Sequence, residues 1–164
     1  METSPDRIVK TVLLRAPLER VWRAVSDAQQ FGAWFGVAFD GPFVAGAKLT
    51  GRIVPTQVDP EVAKTQEPYR GAAFEIAVAE IEPRRRLSFR WHPFAIDPAV
   101  DYSREEPTLV VFELEEVAGG TRLTITESGF DRIPAARRAQ ACTANDGGWT
   151  AQTRLIEKYV TRAA

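Results

Sequence analysis

Thr108 to Ser128 reads TLVVFELEEVAGGTRLTITES, and the alternation in this stretch decides the fold class. Successive side chains of a strand point to opposite faces. Glu113 and Glu115 therefore face water, which turns Val110, Phe112 and Leu114 inward. After the turn at Ala118-Gly119-Gly120 the pattern resumes. Arg122, Thr124 and Thr126 face out, while Leu123, Ile125 and Glu127 face in. Two alternating runs about a glycine-rich turn predict an antiparallel hairpin, Thr108 to Val117 and Thr121 to Ser128. Glu127 is the anomaly, a carboxylate at an inward position near a strand end. Left unpaired it would be costly, so it is expected to be hydrogen-bonded, neutralised or at a wet cavity mouth. A bond to backbone or to an arginine is favoured over a ligand contact.

Working outward, the same period recurs. Phe74, Ile76 and Val78 share a face within Gly71 to Glu82. Leu87, Phe89 and Trp91 line the next strand after a turn at Pro83 to Arg86. Earlier, Val37 to Asp40 and Lys48 to Val54 flank the turn-rich GPFVAG segment as a second hairpin. Ile8 to Arg15 is a first strand. Pro55 to Arg70 and Pro93 to Pro107, rich in proline and polar residues, are predicted to be loops.

Three segments have helical spacing. Pro17 suits the first position of a helix whose apolar face is Leu18, Val21, Trp22 and Val25. Ser26 and Gln29 match the S-x-x-Q capping pattern and predict a short second helix, roughly Asp27 to Phe35, carrying Phe31, Trp34 and Phe35. Beyond Pro134 the chain to Arg162 is one long helix or two shorter ones. Trp149, Ile156 and Val160, with Leu155 and Tyr159, give its second half an apolar face. Its first half is small: Ala135, Ala136, Ala139, Ala141, Cys142, Ala144, Gly147 and Gly148. Two mid-helix glycines cost about 1 kcal/mol each relative to alanine. Close approach to the sheet, a helix break or room for a ligand would offset that cost.

The 164 residues suit one domain with a substantial core. A hydrophobic share of 45% and a charged share of 26% are those of a folded globular chain. The net charge of −1 gives no general attraction to nucleic acid or anionic membrane. Met1 to Arg7 is polar and reads as a short extension before a domain spanning 8–164, without a signal-peptide core. The longest apolar stretch, Ala33 to Phe39, is too short to cross a bilayer. With Cys142 as the one cysteine, no intrachain disulfide can form, and a cytoplasmic location is expected.

Residues able to carry chemistry are few. His92 is the only histidine, which excludes a histidine-rich metal site and favours a surface role at a strand end. Cys142 lies among alanines one turn before Asp146, a setting for an inert packed thiol. Gly46-Ala47-Lys48 lacks the spacing of a phosphate-binding loop. Arg84-Arg85-Arg86 reads as a solvated charge run in a turn. Glu127 and Asp146 could form an acid pair, but spacing does not fix their separation, and no general acid–base role follows. No cofactor is implied.

The order of strand, two short helices, antiparallel strands and long helix resembles the START-like (SRPBCC) superfamily. More narrowly, it is similar to the family named after the C-terminal domain of the eukaryotic activator of heat-shock-chaperone ATPase. The residues that carry the likeness are Ala16-Pro17-Leu18-Glu19-Arg20-Val21-Trp22, Trp34-Phe35, and Ile81-Glu82-Pro83 through Arg86-Leu87-Ser88-Phe89 with Trp91. They continue in Gly119-Gly120-Thr121-Arg122-Leu123-Thr124, Thr126-Glu127-Ser128-Gly129-Phe130 and Gly148-Trp149. The resemblance covers nearly the whole chain and implies an α+β helix-grip fold: a curved antiparallel sheet wrapped around a long C-terminal helix. Superfamily members bind lipids, hormones or polyketides between sheet and helix, and a few are cyclases or oxygenase subunits. The eukaryotic activator also has a separate N-terminal chaperone-binding domain without counterpart in these residues.

Together these readings predict a non-enzymatic binding domain for a small apolar ligand, lipid-like or aromatic. The expected ligand-binding residues are Trp34, Phe74, Ile76, Phe89, Trp91, Val110, Phe112, Leu123, Ile125, Glu127, Trp149 and Thr153, with the Ala/Gly half of the last helix as a lid. Closer packing of the two layers is the competing expectation. The alternatives are a cyclase- or hydrolase-type enzyme using Glu127, and a protein-interaction module of stress or chaperone pathways with a chaperone as partner.

Overall fold

The computed structural model describes residues 7–93 and 101–162. Its strands are β1 (Arg7–Leu14), β2 (Val37–Phe39), β3 (Lys48–Ile53), β4 (Ala73–Glu82), β5 (Arg86–Trp91), β6 (Thr108–Val117) and β7 (Gly120–Ser128). They form one antiparallel sheet in the order β1-β7-β6-β5-β4-β3-β2. The helices are α1 (Leu18–Ser26), α2 (Ala28–Phe35), α3 (Pro60–Gln66) and α4 (Ala135–Thr161). This is the α+β helix-grip arrangement expected from the sequence.

The hairpin register follows the side-chain parity. Val110 pairs with Glu127, Phe112 with Ile125 and Leu114 with Leu123, and all six are buried. Glu113, Glu115 and Arg122 are exposed on the opposite face. In β4 an irregularity between Val78 and Glu80 accommodates one extra residue. Ile81 therefore pairs with inward-facing Leu87, although its parity differs from that of Ile76 and Val78.

Helix α4 is continuous over 27 residues. It buries Trp149, Leu155, Ile156 and Val160 and packs along β1, α1 and α2. Its C-terminal carbonyls are held from α1. Arg20 donates to the carbonyls of Val160 at 2.7 Å and Tyr159 at 3.1 Å, placing a cation where the helix dipole is negative. Gly147 and Gly148 neither break the helix nor approach the sheet. Both are exposed, and a methyl added at either would meet nothing within 4 Å.

The structure corrects three local expectations. The cap of α2 is Asp27, whose Oδ1 accepts from the backbone N–H groups of Gln29 and Gln30. Ser26 instead ends α1 and donates to the Trp22 carbonyl at 2.7 Å. A carboxylate one residue later reaches the N–H groups of Gln29 and Gln30 and carries the charge the helix start favours. Pro17 is the N-cap of α1, one residue before the helix. The segment 55–70, expected as a loop, holds α3 and a 3-10 turn at Glu67–Tyr69. Its start follows ordinary rules: Asp59 caps Glu61 and Val62, and Pro60 stands at the first position. Within 93–107, residues 94–100 lie outside the described residues, as do residues 1–6 of the N-terminal extension.

Candidate binding site

Glu127 has no exposed surface, and both its oxygens are fully used. Oε1 accepts from Trp149 Nε1 and Asn145 Nδ2, each at 2.8 Å. Oε2 accepts from Trp91 Nε1 at 2.8 Å and Thr108 Oγ1 at 2.5 Å. An ionised carboxylate is an acceptor only, with about four lone-pair positions, and four donors match it. The donors come from β5, β6 and α4, so one side chain of β7 joins three strands to the long helix. The geometry resolves the anomaly in the alternation: the inward carboxylate is hydrogen-bonded, to neutral side chains rather than to backbone or an arginine. Asp146 is not its partner. It is exposed and pairs with Lys10 of β1 at 3.0 Å.

Around this knot lies a continuous aromatic cluster. The ring of Trp91 is 5.7 Å from that of Trp149 and 6.1 Å from that of Phe74. Phe35 touches Trp149 at 6.0 Å, and Phe31 touches Phe112 at 5.9 Å. From Phe74 the contacts run to Phe39 at 6.2 Å and on to Phe43 at 5.2 Å. Gly51 makes this path. In register it lies between Phe39 and Phe74, and a methyl there would sit 2.9 Å from the Phe39 ring and 2.7 Å from Val37. Without a side chain at 51, the Phe39 ring crosses β3 towards Phe74.

Burial divides the residues expected from sequence. Trp34, Ile76, Phe89, Val110, Phe112, Leu123, Ile125, Glu127 and Trp149 are buried. Phe74, Trp91 and Thr153 are partly open. The Thr153 hydroxyl donates to the Thr150 carbonyl within its own helix. Phe39 and Phe43 join Phe74 and Trp91 as partly open rings of the cluster. Sequence reasoning missed both, because Phe43 lies in a turn segment and β2 is too short for parity to speak. A cleft of about 670 Å³ shares Phe39 with this cluster. It is bounded by Asp27, Gln29 and Ala33 of the α2 region, by Asp40, and by Val54, and it includes none of the residues expected from sequence.

The remaining candidates form no second polar cluster with Glu127. Arg84 pairs with Glu19, Arg85 with Glu82, and Arg86 with Glu113, so the arginine run is neutralised in place. Cys142 is partly buried in the core's margin. His92 follows β5 as expected but is half-buried, and its Nδ1 is buried without a hydrogen bond. Among the described residues, no group of three or more His, Cys, Asp and Glu side chains is placed to hold a metal ion. Among the described residues, no helix is long and apolar enough to cross a membrane.

Residues 15–161 match the family model described as Activator of Hsp90 ATPase homolog 1-like protein. The chain belongs to this family. No curated protein matches the sequence significantly. Among solved structures, a Mesorhizobium loti protein has a TM-score of 0.70 at 23% identity, over 96% of this chain and 98% of its own. An Arthrobacter aurescens protein reaches a TM-score of 0.72 at 18% identity, over 99% and 91%. DynU16, a protein of the dynemicin biosynthetic locus, is 27% identical with a TM-score of 0.64, over 94% of this chain and 46% of its own. The helix-grip architecture of this Activator of Hsp90 ATPase homolog 1-like chain is thus shared at low sequence identity.

Proposed function

We propose that this chain is a non-catalytic binding domain for a small apolar molecule, seated on the partly open rings Phe39, Phe43, Phe74 and Trp91. The observation that carries this reading is their contact path. These rings touch one another or the buried cluster, yet none of the four residues is fully buried. Apolar and aromatic walls with few polar groups are the usual make-up of small-molecule sites. The likeness to a protein from a biosynthetic locus agrees with a small-molecule ligand. The buried residues expected from sequence then form the support behind the wall.

Two rival functions have weaker support. An enzyme using Glu127 would need a free carboxylate oxygen, and each oxygen already accepts two hydrogen bonds. A chaperone partner, suggested by the family's description, would call for a contiguous apolar surface. The exposed Val9 and Leu13 lie on β1, while Val44 and Val54 flank β3 towards the opposite edge of the sheet.

The test is titration of the neutral fluorescent probe N-phenyl-1-naphthylamine into wild type, Phe43→Ala and Phe74→Ala, with folding checked by circular dichroism. Saturable binding weakened about tenfold by either loss is expected, since a removed ring contact is worth about 1.4 kcal/mol or more. No saturable binding, or equal binding by all three proteins, would refute the proposal.

A further inference from the structure

We infer that the preferred ligand is an organic cation with an apolar body, such as an amine or quaternary ammonium compound, its charge seated against Trp91. This rests on the proposed aromatic wall and adds the ligand's charge to it. The starting point is the sign of the core. Glu127 is buried, and its four hydrogen-bond donors are two indoles, an amide and a hydroxyl, all neutral. Among the described residues, no lysine, arginine or histidine is hydrogen-bonded or ion-paired with it. Of the two basic side chains of the adjoining strand, Lys10 is committed to Asp146 and Arg7 is exposed. Arg137 of α4 is committed to Glu105 and the Pro93 carbonyl, and Arg138 to the carbonyls of Phe130, Asp131 and Ile133.

A buried charge balanced only by dipoles leaves a negative potential around it, and low dielectric lets that potential reach further than in water. Trp91 is in direct contact with this charge and is itself only partly buried. Its N–H points at Glu127, while part of its ring remains accessible. The face of an indole is itself negative and attracts cations. Phe74 and Phe89 meet the same indole at 6.1 Å and 5.3 Å, so the ligand's apolar part has neighbouring rings to cover. With both tryptophan N–H groups of the knot engaged, the wall offers an anion no indole donor. A cation gains from the ring and from the carboxylate behind it.

The experiment compares two probes of similar shape that differ in charge, benzyltrimethylammonium and neutral neopentylbenzene, by calorimetry and tryptophan fluorescence. Wild type is expected to bind the cation at least about fivefold more tightly, the ratio an interaction of this kind supplies. Phe74→Ala should weaken both probes. Glu127→Gln should shrink the ratio; if that variant fails to fold, the wild-type ratio alone decides. Equal or tighter binding of the neutral probe would overturn the cation preference and leave the apolar site standing. Binding of neither would overturn both. Cation binding indifferent to Phe74→Ala would place the charge elsewhere and overturn this assignment.

Discussion

The indole N–H of Trp149 lies 2.8 Å from Oε1 of Glu127, tying the middle of helix α4 to the penultimate residue of β7. Trp149 is 2% exposed, and its ring also touches Phe35, Trp91 and Phe112. Truncation to alanine should cost about 3 to 5 kcal/mol, the range for a well-packed large aromatic. Trp149→Phe keeps much of the packing and loses the hydrogen bond, so it should cost less than truncation. Denaturant unfolding of both variants checks the order, and an unchanged midpoint for the alanine variant would contradict it.

Glu127→Ala should be more damaging than an ordinary core truncation, because it orphans the donors of Trp91, Thr108, Asn145 and Trp149 together. Each buried donor without a partner costs about 1 to 3 kcal/mol, and a shared network need not lose them additively. Glu127→Gln retains one acceptor oxygen but places an amide donor among donors, and about 2 to 4 kcal/mol is expected. Equilibrium unfolding measures both, and a neutral effect of either would show that the knot is not structural.

Gly147→Ala and Gly148→Ala should each raise stability by about 0.5 to 1 kcal/mol. Both positions are exposed within α4, and the added methyl meets nothing. Thermal melts should rise. A fall would mean that these positions face packing partners.

Asp59 caps α3 and accepts from Lys158 of α4 at 2.6 Å. That hydrogen bond, with the backbone N–H of Val62 next in weight, holds the Asp59 carboxyl below the usual carboxylate range. A lowered folded-state value stabilises above the unfolded carboxylate's range. The contribution is lost in acid, as pH falls through the folded value. A carboxyl NMR titration should show Asp59 ionising below ordinary aspartates, and Lys158→Gln should move it back up. An unshifted titration would contradict the latch.

Much of the architecture was legible because one face of the sheet is largely buried. Burying one face fixes parity, so Phe112, Leu123 and Ile125 could be assigned from alternation alone. The anomaly at Glu127 was also legible. Its partners were not, since Trp91, Thr108 and Asn145 lie 36, 19 and 18 residues away in sequence. Helix α3 was hidden by the prolines of the surrounding segment and by the absence of any buried residue, which leaves no apolar stripe to read. Phe39 escaped because its contact with Phe74 crosses β3 at a bare Gly51, a space that periodicity does not encode, and Phe43 because it lies in a turn segment.

The indole N–H resonances report on the partly open wall around Trp91. Trp91 and Trp149 both donate to Glu127, while Trp34 donates to the Ala24 carbonyl at 2.9 Å. In a two-dimensional ¹H–¹⁵N spectrum titrated with N-phenyl-1-naphthylamine, the assigned Trp91 indole signal should shift saturably. The Trp22 signal, from α1 outside the ring-contact cluster, should stay still. A Trp91 signal that never moves, or one that moves only as much as Trp22, would contradict the account.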